Sequence, residues 1–164
     1  MSLSLIADGT LSTLSDVAFA NKYRLRRMWL ISPWITATDH KADPLYRLIE
    51  AYRVRHCVIR LLTRPPRDSW HSEAVQLLRD NTDCEIMFSS QLHAKLYILE
   101  CDGFRYAMLG SPNLTRRADR KNRELAIELR TTCSTPSDEV SAMMNELLVF
   151  AYELMSDEEA QLQI

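Results

Sequence analysis

The stretch L-H-A-K-L-Y-I-L-E-C-D-G-F-R-Y-A-M-L-G-S-P-N-L-T, residues 92–115, decides how this chain is read. Two apolar runs, His93–Glu100 and Phe104–Leu109, flank Cys101-Asp102-Gly103. An Asp-Gly pair between two strand-like runs predicts a hairpin, because Gly supplies the positive φ that a tight turn needs. Side chains two apart on a strand share a face, so His93 and Lys95 are expected to project together while Ala94 and Leu96 point away. Gly110-Ser111-Pro112-Asn113 then breaks the second strand.

Upstream, Met28–Ile31, Cys57–Leu62 and Cys84–Phe88 are short apolar runs stopped by Ser, Pro or polar residues, as buried strands are. Helical periodicity lies between them. One helix is expected from Thr10, as cap, to about Tyr23, one from Pro44 to about Arg53, and one over 68–80. Leu125–Leu129 is a last strand. Thr135 and Pro136 open a final helix with Asp138 and Glu139 in its first turn. Strands alternating with helices, then a hairpin, predict an α/β fold with a mixed sheet flanked by helices on both faces. One domain is expected over 1–164, with 135–164 an acidic amphipathic helix. Its face Val140, Met143, Met144, Leu147, Leu148, Phe150, Ala151, Leu154 and Met155 is expected to pack on its own domain or against a subunit.

All 20 Lys and Arg lie within residues 1–130 against 15 acids, whereas 131–164 carry seven acids and no base. A basic body with an acidic end suits a polyanion bound on one face. No apolar run reaches the roughly 20 residues that span a bilayer, and the N-terminus lacks signal-peptide character. A cytoplasmic protein with no membrane contact is expected. The four cysteines lack C-x-x-C spacing, which fits free thiols in a reducing compartment.

A histidine beside a lysine suits a phosphate held between them. The lysine would neutralise phosphate oxygens, and the histidine could attack phosphorus or move a proton. Gly110 permits close backbone approach, Ser111 and Asn113 add donors, and a following helix N-terminus would favour an anion. Glu124, in N-R-E at 122–124, could accept from the second ring nitrogen of His93 and fix its aim. Taken singly, H-x-K is more often a pair on a solvated face and G-S-x-N more often a turn.

In this order and spacing, H-A-K (93–95), G-S-P-N (110–113) and N-R-E (122–124) resemble the phospholipase D superfamily, over roughly residues 25–130. Ser32-Pro33-Trp34-Ile35 is similar to an early segment of that family. The resemblance implies an α/β/α sandwich and a phosphodiesterase without metal or cofactor. Its catalytic residues would be His93, Lys95, Ser111, Asn113 and Glu124. The family pattern puts Asp where this chain has Glu100, with Asp102 two further on; that acid is supporting in the family. This chain has one H-x-K motif, since His40, His56 and His71 lack the lysine. The resemblance is to small single-motif nucleases, in which a two-fold homodimer places both motifs in one cleft. One His93 would form a phosphohistidine while the other protonates the leaving oxygen.

Arg116, Arg117, Arg120, Lys121 and Arg123 lie between Asn113 and Glu124 and would rim that cleft, which suits nucleic acid, DNA rather than RNA. Arg24, Arg26, Arg27, Arg64 and Arg67 are further cations whose facing the sequence leaves open. Two alternatives stay open: a lipid phosphodiesterase, and a non-catalytic nucleic-acid-binding or assembly module beside a helicase or ATPase.

Overall fold

A computed structural model of the chain describes residues 1–7, 9–20, 22–37, 43–115, 123–132, 139–156 and 161–162. The element order is β1 (Ser2–Ala7), α1 (Thr10–Phe19), β2 (Leu25–Ile31), α2 (Pro44–Arg55), β3 (Val58–Thr63), α3 (Ser69–Asn81), β4 (Glu85–Phe88), β5 (Leu96–Cys101), β6 (Phe104–Gly110), β7 (Leu125–Thr132), α4 (Glu139–Ser156) and β8 (Gln161–Leu162). All strands join one sheet in the order β1-β7-β6-β5-β2-β3-β4-β8. β2, β3 and β4 run parallel, linked by α2 and α3, and the remaining pairings are antiparallel. The mixed α/β architecture is the one expected.

Its helices cover both faces. Met28 and Leu30 pack with Leu11, Leu14, Leu48 and Leu78 of α1, α2 and α3. Trp29 and Ile31, alternating with them, pack with Met144, Leu148 and Ala151 of α4. A strand buried on both sides carries no polar alternation, so the Met28–Ile31 part of β2, past the exposed Arg26 and half-buried Arg27, reads as a continuous apolar run. Full burial of each such side chain contributes about 1.5–3 kcal/mol. α4 packs most of its apolar face on the domain: Met144, Leu148, Ala151 and Met155 are buried and Val140, Leu147 and Leu154 pack partly buried beside them, while Met143 and Phe150 remain 43% and 44% exposed. The expected Thr135-Pro136 start of this helix lies outside the described residues, as does Cys133.

Local signals explain most boundaries. Asp43 caps α2, its carboxylate accepting from Leu45 N at 3.0 Å, with Pro44 at the first turn. Asp68 caps α3 by accepting from His71 N at 2.8 Å. The β5–β6 hairpin closes at Cys101 opposite Phe104, with Gly103 at φ 72°.

Four expectations are corrected. Thr10 does not cap α1: Gly9, at φ 59°, takes the cap position, and Thr10 is the first helical residue, buried. The helix also stops at Phe19, not Tyr23. A first strand, β1, pairs with β7 at the sheet edge, where the sequence had suggested no element. Finally, β5 starts at Leu96 instead of His93. Its neighbour β2 ends at Ile31, opposite Leu96, and Ser32 turns to donate to Leu62 O at 3.0 Å, so residues 93–95 have no strand on that side.

Candidate active site

Antiparallel pairing of β5 with β6 puts the start of one beside the end of the other, Leu96 opposite Leu109. The ladder takes one further step, Gly110 N donating to Lys95 O at 3.4 Å. Thus H-A-K and G-S-P-N meet at one end of the sheet. The parallel strands β2 and β3 also end there, where open α/β sheets place their ligands.

Gly110 is required by space. A Cβ built on it would lie 2.3 Å from Leu125 O and 2.7 Å from Ala126 Cα, both backbone atoms of β7. The absent side chain lets β7 close on the loop. Ser111 N then donates to Leu125 O at 3.0 Å, and Ser111 Oγ accepts from Leu125 N at 3.0 Å. Ser111 Oγ also donates to the Glu124 carboxylate.

The rest of the loop is fixed from beneath. Tyr97, fully buried on β5, donates its hydroxyl to Pro112 O at 2.9 Å. Burial holds this phenol well above its ordinary pKa. Ser32 Oγ donates to Trp34 O at 2.8 Å and accepts from Leu114 N at 3.0 Å. Ile35 bridges Leu114, and Thr36 N donates to Leu114 O at 3.1 Å. The Ser-Pro-Trp-Ile segment therefore clamps the loop that carries Asn113. Asn113 is half-buried, and its Oδ1 is buried with no hydrogen-bond partner among the described residues. A buried amide oxygen without a partner costs about 1–3 kcal/mol, the kind of cost met at functional positions.

His93 is exposed, and Lys95 is half-buried with Nζ 3.3 Å from His93 O. The group that meets the His93 ring is not the one expected. Arg64 Nη2 lies 2.9 Å from Nε2 and 3.2 Å from Nδ1, while Glu124 receives the Ser111 hydroxyl. Arg64 had been only one of several cations of unknown facing. Its available signal was position: a lone arginine where an apolar strand stops, before Pro65-Pro66.

Other residues separate from this end. Glu100 accepts from Trp29 Nε1 at 2.8 Å and Arg27 Nη1 at 3.1 Å, and Asp102 pairs with Arg26 at 2.7 Å. These contacts sit where β5 finishes, a strand's length of roughly 15–20 Å from its start. Arg26 and Arg27 therefore belong to the opposite end of the sheet. Arg123 is exposed and adjoins Glu124; Arg116, Arg117, Arg120 and Lys121 lie outside the described residues, as does the helix N-terminus expected after Asn113. His71 is buried, its Nε2 3.0 Å from Thr63 Oγ1, and burial lowers its pKa. Among the described residues no group of three or more His, Cys, Asp or Glu is placed to hold a metal ion, and no helix is long and apolar enough to cross a membrane.

Comparison with known proteins agrees with this fold. The family model described as "Cardiolipin synthase, PLD-like domain" matches residues 24–148. Among solved structures, Nuc of Salmonella typhimurium, a phospholipase D family member, superposes with a TM-score of 0.67 at 16% identity, covering 93% of both chains. NucT of Helicobacter pylori gives 0.68 at 12% identity, covering 94% of this chain and 95% of its own. A yeast tyrosyl-DNA phosphodiesterase gives 0.55 at 14% identity, covering 96% of this chain but 39% of its own. Comparison with curated protein sequences gives no match.

Proposed function

The chain belongs to the phospholipase D-like family, and from that premise we propose that it is a metal-independent nuclease, acting on DNA rather than RNA at a site shared by two copies. The observation that carries the proposal is the Lys95–Gly110 rung, which joins the histidine–lysine pair directly to the serine–asparagine loop. Phosphodiester chemistry is the chemistry of this family. The choice of nucleic acid rests on Arg116, Arg117, Arg120, Lys121 and Arg123, in a segment tethered to the site at both ends, through Asn113 and through Glu124. A cationic rim on a phosphodiester site supplies the sequence-independent part of nucleic-acid affinity.

The proposed reaction has two displacements. His93 attacks phosphorus through a ring nitrogen, a P–N bond forms, and the P–O bond to the leaving group breaks. His93 of the partner subunit gives that oxygen a proton. The same ring then takes a proton from water, whose oxygen attacks phosphorus and releases His93. Lys95 and Asn113 of both copies meet the charge on the phosphate oxygens. Ser111 and Glu124 act together, holding the loop against β7. Support for pairing comes from the single H-x-K motif and from the exposed Met143 and Phe150 beside a packed helix face.

One titration tests the whole proposal. Wild-type and His93→Ala chains are co-refolded in varied ratio with proven subunit exchange, and DNA cleavage is measured with EDTA present. Competent dimers should follow the square of the wild-type fraction, so an equal mixture keeps about a quarter of the activity. A straight line would remove the shared site. Loss of all cleavage in EDTA, restored by Mg²⁺, would remove the metal-independent mechanism. Binding without cleavage under every condition would point to a non-catalytic module.

A further inference from the structure

Arg64 is built into the site from three directions. Its backbone N–H donates to Pro33 O at 3.4 Å, its Nε donates to Leu92 O at 2.7 Å, and its guanidinium lies 5.8 Å from the centroid of the Trp34 ring. Trp34 is itself braced by His71, ring centroids 5.7 Å apart. Pro65-Pro66 follows at once, so the backbone on either side has little freedom. The guanidinium is thus aimed, by contacts that involve none of the H-x-K or G-S-x-N residues, at the ring of His93 one residue past Leu92.

The contact it makes there is one that a substrate can displace. Nη2 lies near both ring nitrogens, whose lone pairs diverge, so one N–H can serve only one of them. Guanidinium has no acceptor, so the pair is cohesive only while the ring keeps a lone pair, and that lone pair is the one needed for attack. No hydrogen bond is formed by Arg64 Nη1 among the described residues. Guanidinium and phosphate match in bidentate geometry, and a charge-assisted pair is about twice as strong as a neutral hydrogen bond. A phosphodiester offers Nη1 and Nη2 better acceptors than imidazole does.

We propose that Arg64 is a phosphate-exchange residue: held against His93 in the structure, it turns its terminal N–H groups to a non-bridging phosphate oxygen when a phosphodiester enters, freeing the ring nitrogen to attack. The anchors at Leu92 O and Trp34 keep the guanidinium beside the ring during the exchange. Arg64 would therefore both shield the nucleophile and help to select an anion as the group that uncovers it. This rests on the phosphodiesterase reading for its consequence but not for its test.

The test uses the whole chain labelled with ¹⁵N-histidine and inorganic phosphate as the probe. In wild type, phosphate should shift the His93 ring nitrogen resonances with saturation. Arg64→Gln should weaken phosphate binding at least tenfold, and Arg64→Lys should recover part of it by restoring the charge without the fork. With bis(p-nitrophenyl) phosphate as substrate, Arg64→Gln should raise KM by a larger factor than it lowers kcat. Thermal melting and the His71 resonance confirm that each variant is folded. If Arg64→Gln does not fold, the wild-type titration decides alone. His93 resonances that ignore phosphate in wild type, or unchanged phosphate affinity in a folded Arg64→Gln, would overturn the proposal. Arg64-dependent phosphate binding without hydrolysis would instead sustain it and overturn the enzymatic reading.

Discussion

Replacing Gly110 by Ala adds one methyl group at the place where β6, β7 and the Ser111–Asn113 loop converge. The new Cβ would sit 2.3 Å from Leu125 O and 2.7 Å from Ala126 Cα. Ordinary carbon–oxygen contact is about 1 Å longer, so backbone, not a flexible side chain, has to move. The carbonyl it strikes is the one that accepts from Ser111 N, and β7 is held from behind by β1 through Ile6 and Ala7. Overpacking costs about 1–3 kcal/mol, and the weakened hydrogen bond adds about 0.5–1.5. Reduced chain entropy in the unfolded state returns about 0.4–1 kcal/mol. A net loss near 2–3 kcal/mol should lower Tm by roughly 4–12 °C in a chain of this size. A shift of about 1 Å in Ser111 and Asn113 should cost about 10²-fold in cleavage rate. Gly103→Ala is the matched control. Nothing lies within 4 Å of its Cβ, but its φ is 72°, so the cost there is left-handed backbone strain of about 1–2 kcal/mol with activity kept. The assays are urea unfolding and DNA cleavage on both variants. A folded Gly110→Ala within 0.5 kcal/mol of wild type and fully active would refute the close-approach reasoning.

Two predictions concern other parts of the molecule. Replacing Arg116, Arg117 and Arg120 by Ala should leave the fold intact and reduce the slope of log affinity against log salt by about 1 per lost phosphate contact, so by up to about 3; an unchanged slope would move the nucleic acid elsewhere. Burial pushes the Cys57 and Cys101 thiols up to about 11. Their contribution to stability is full below the unfolded thiol pKa of about 8.5 and is lost as pH rises toward 11, because the unfolded chain sheds those protons first. Urea unfolding between pH 8 and 10.5 should show that decline, and a double Cys57→Ala, Cys101→Ala variant should reduce it, the remainder coming from Cys84, whose thiol burial also raises. Equal slopes in the two proteins would exclude Cys57 and Cys101 as its source.

How far the sequence revealed the fold depended on whether the deciding interaction was local. Asp102-Gly103 makes its turn by itself, and Asp43-Pro44 starts a helix by itself, so both were legible. The central strands were legible because burial on both faces leaves long apolar runs. β1 was not, since Ser2–Ala7 is an edge strand whose Leu3 and Leu5 stay 54% and 70% exposed, and only its pairing with β7 makes it a strand. The start of β5 depended on where β2 stops, at Ile31 opposite Leu96, far away in the sequence. For the same reason His93 was read on a strand with Lys95, when it lies just outside one.

The motif residues were visible in sequence, whereas the residues that hold them were not, although they carried a signal. Tyr97 lies in an apolar run, and Ser32 follows one directly. A hydroxyl forced into such a position must find a partner or lose about 1–3 kcal/mol. Tyr97 finds Pro112 O and Ser32 finds Leu114 N, so both buried hydroxyls fasten the same loop on either side of Asn113. Arg64 follows the same rule at the next strand. A cation at the end of an apolar strand needs an acceptor, and it takes Leu92 O. Three polar groups at the ends or in the middle of buried strands thus fix the positions of Asn113 and His93. The sequence displays each as an exception to its apolar neighbourhood, but the partner is decided only when β2, β3 and β5 lie side by side.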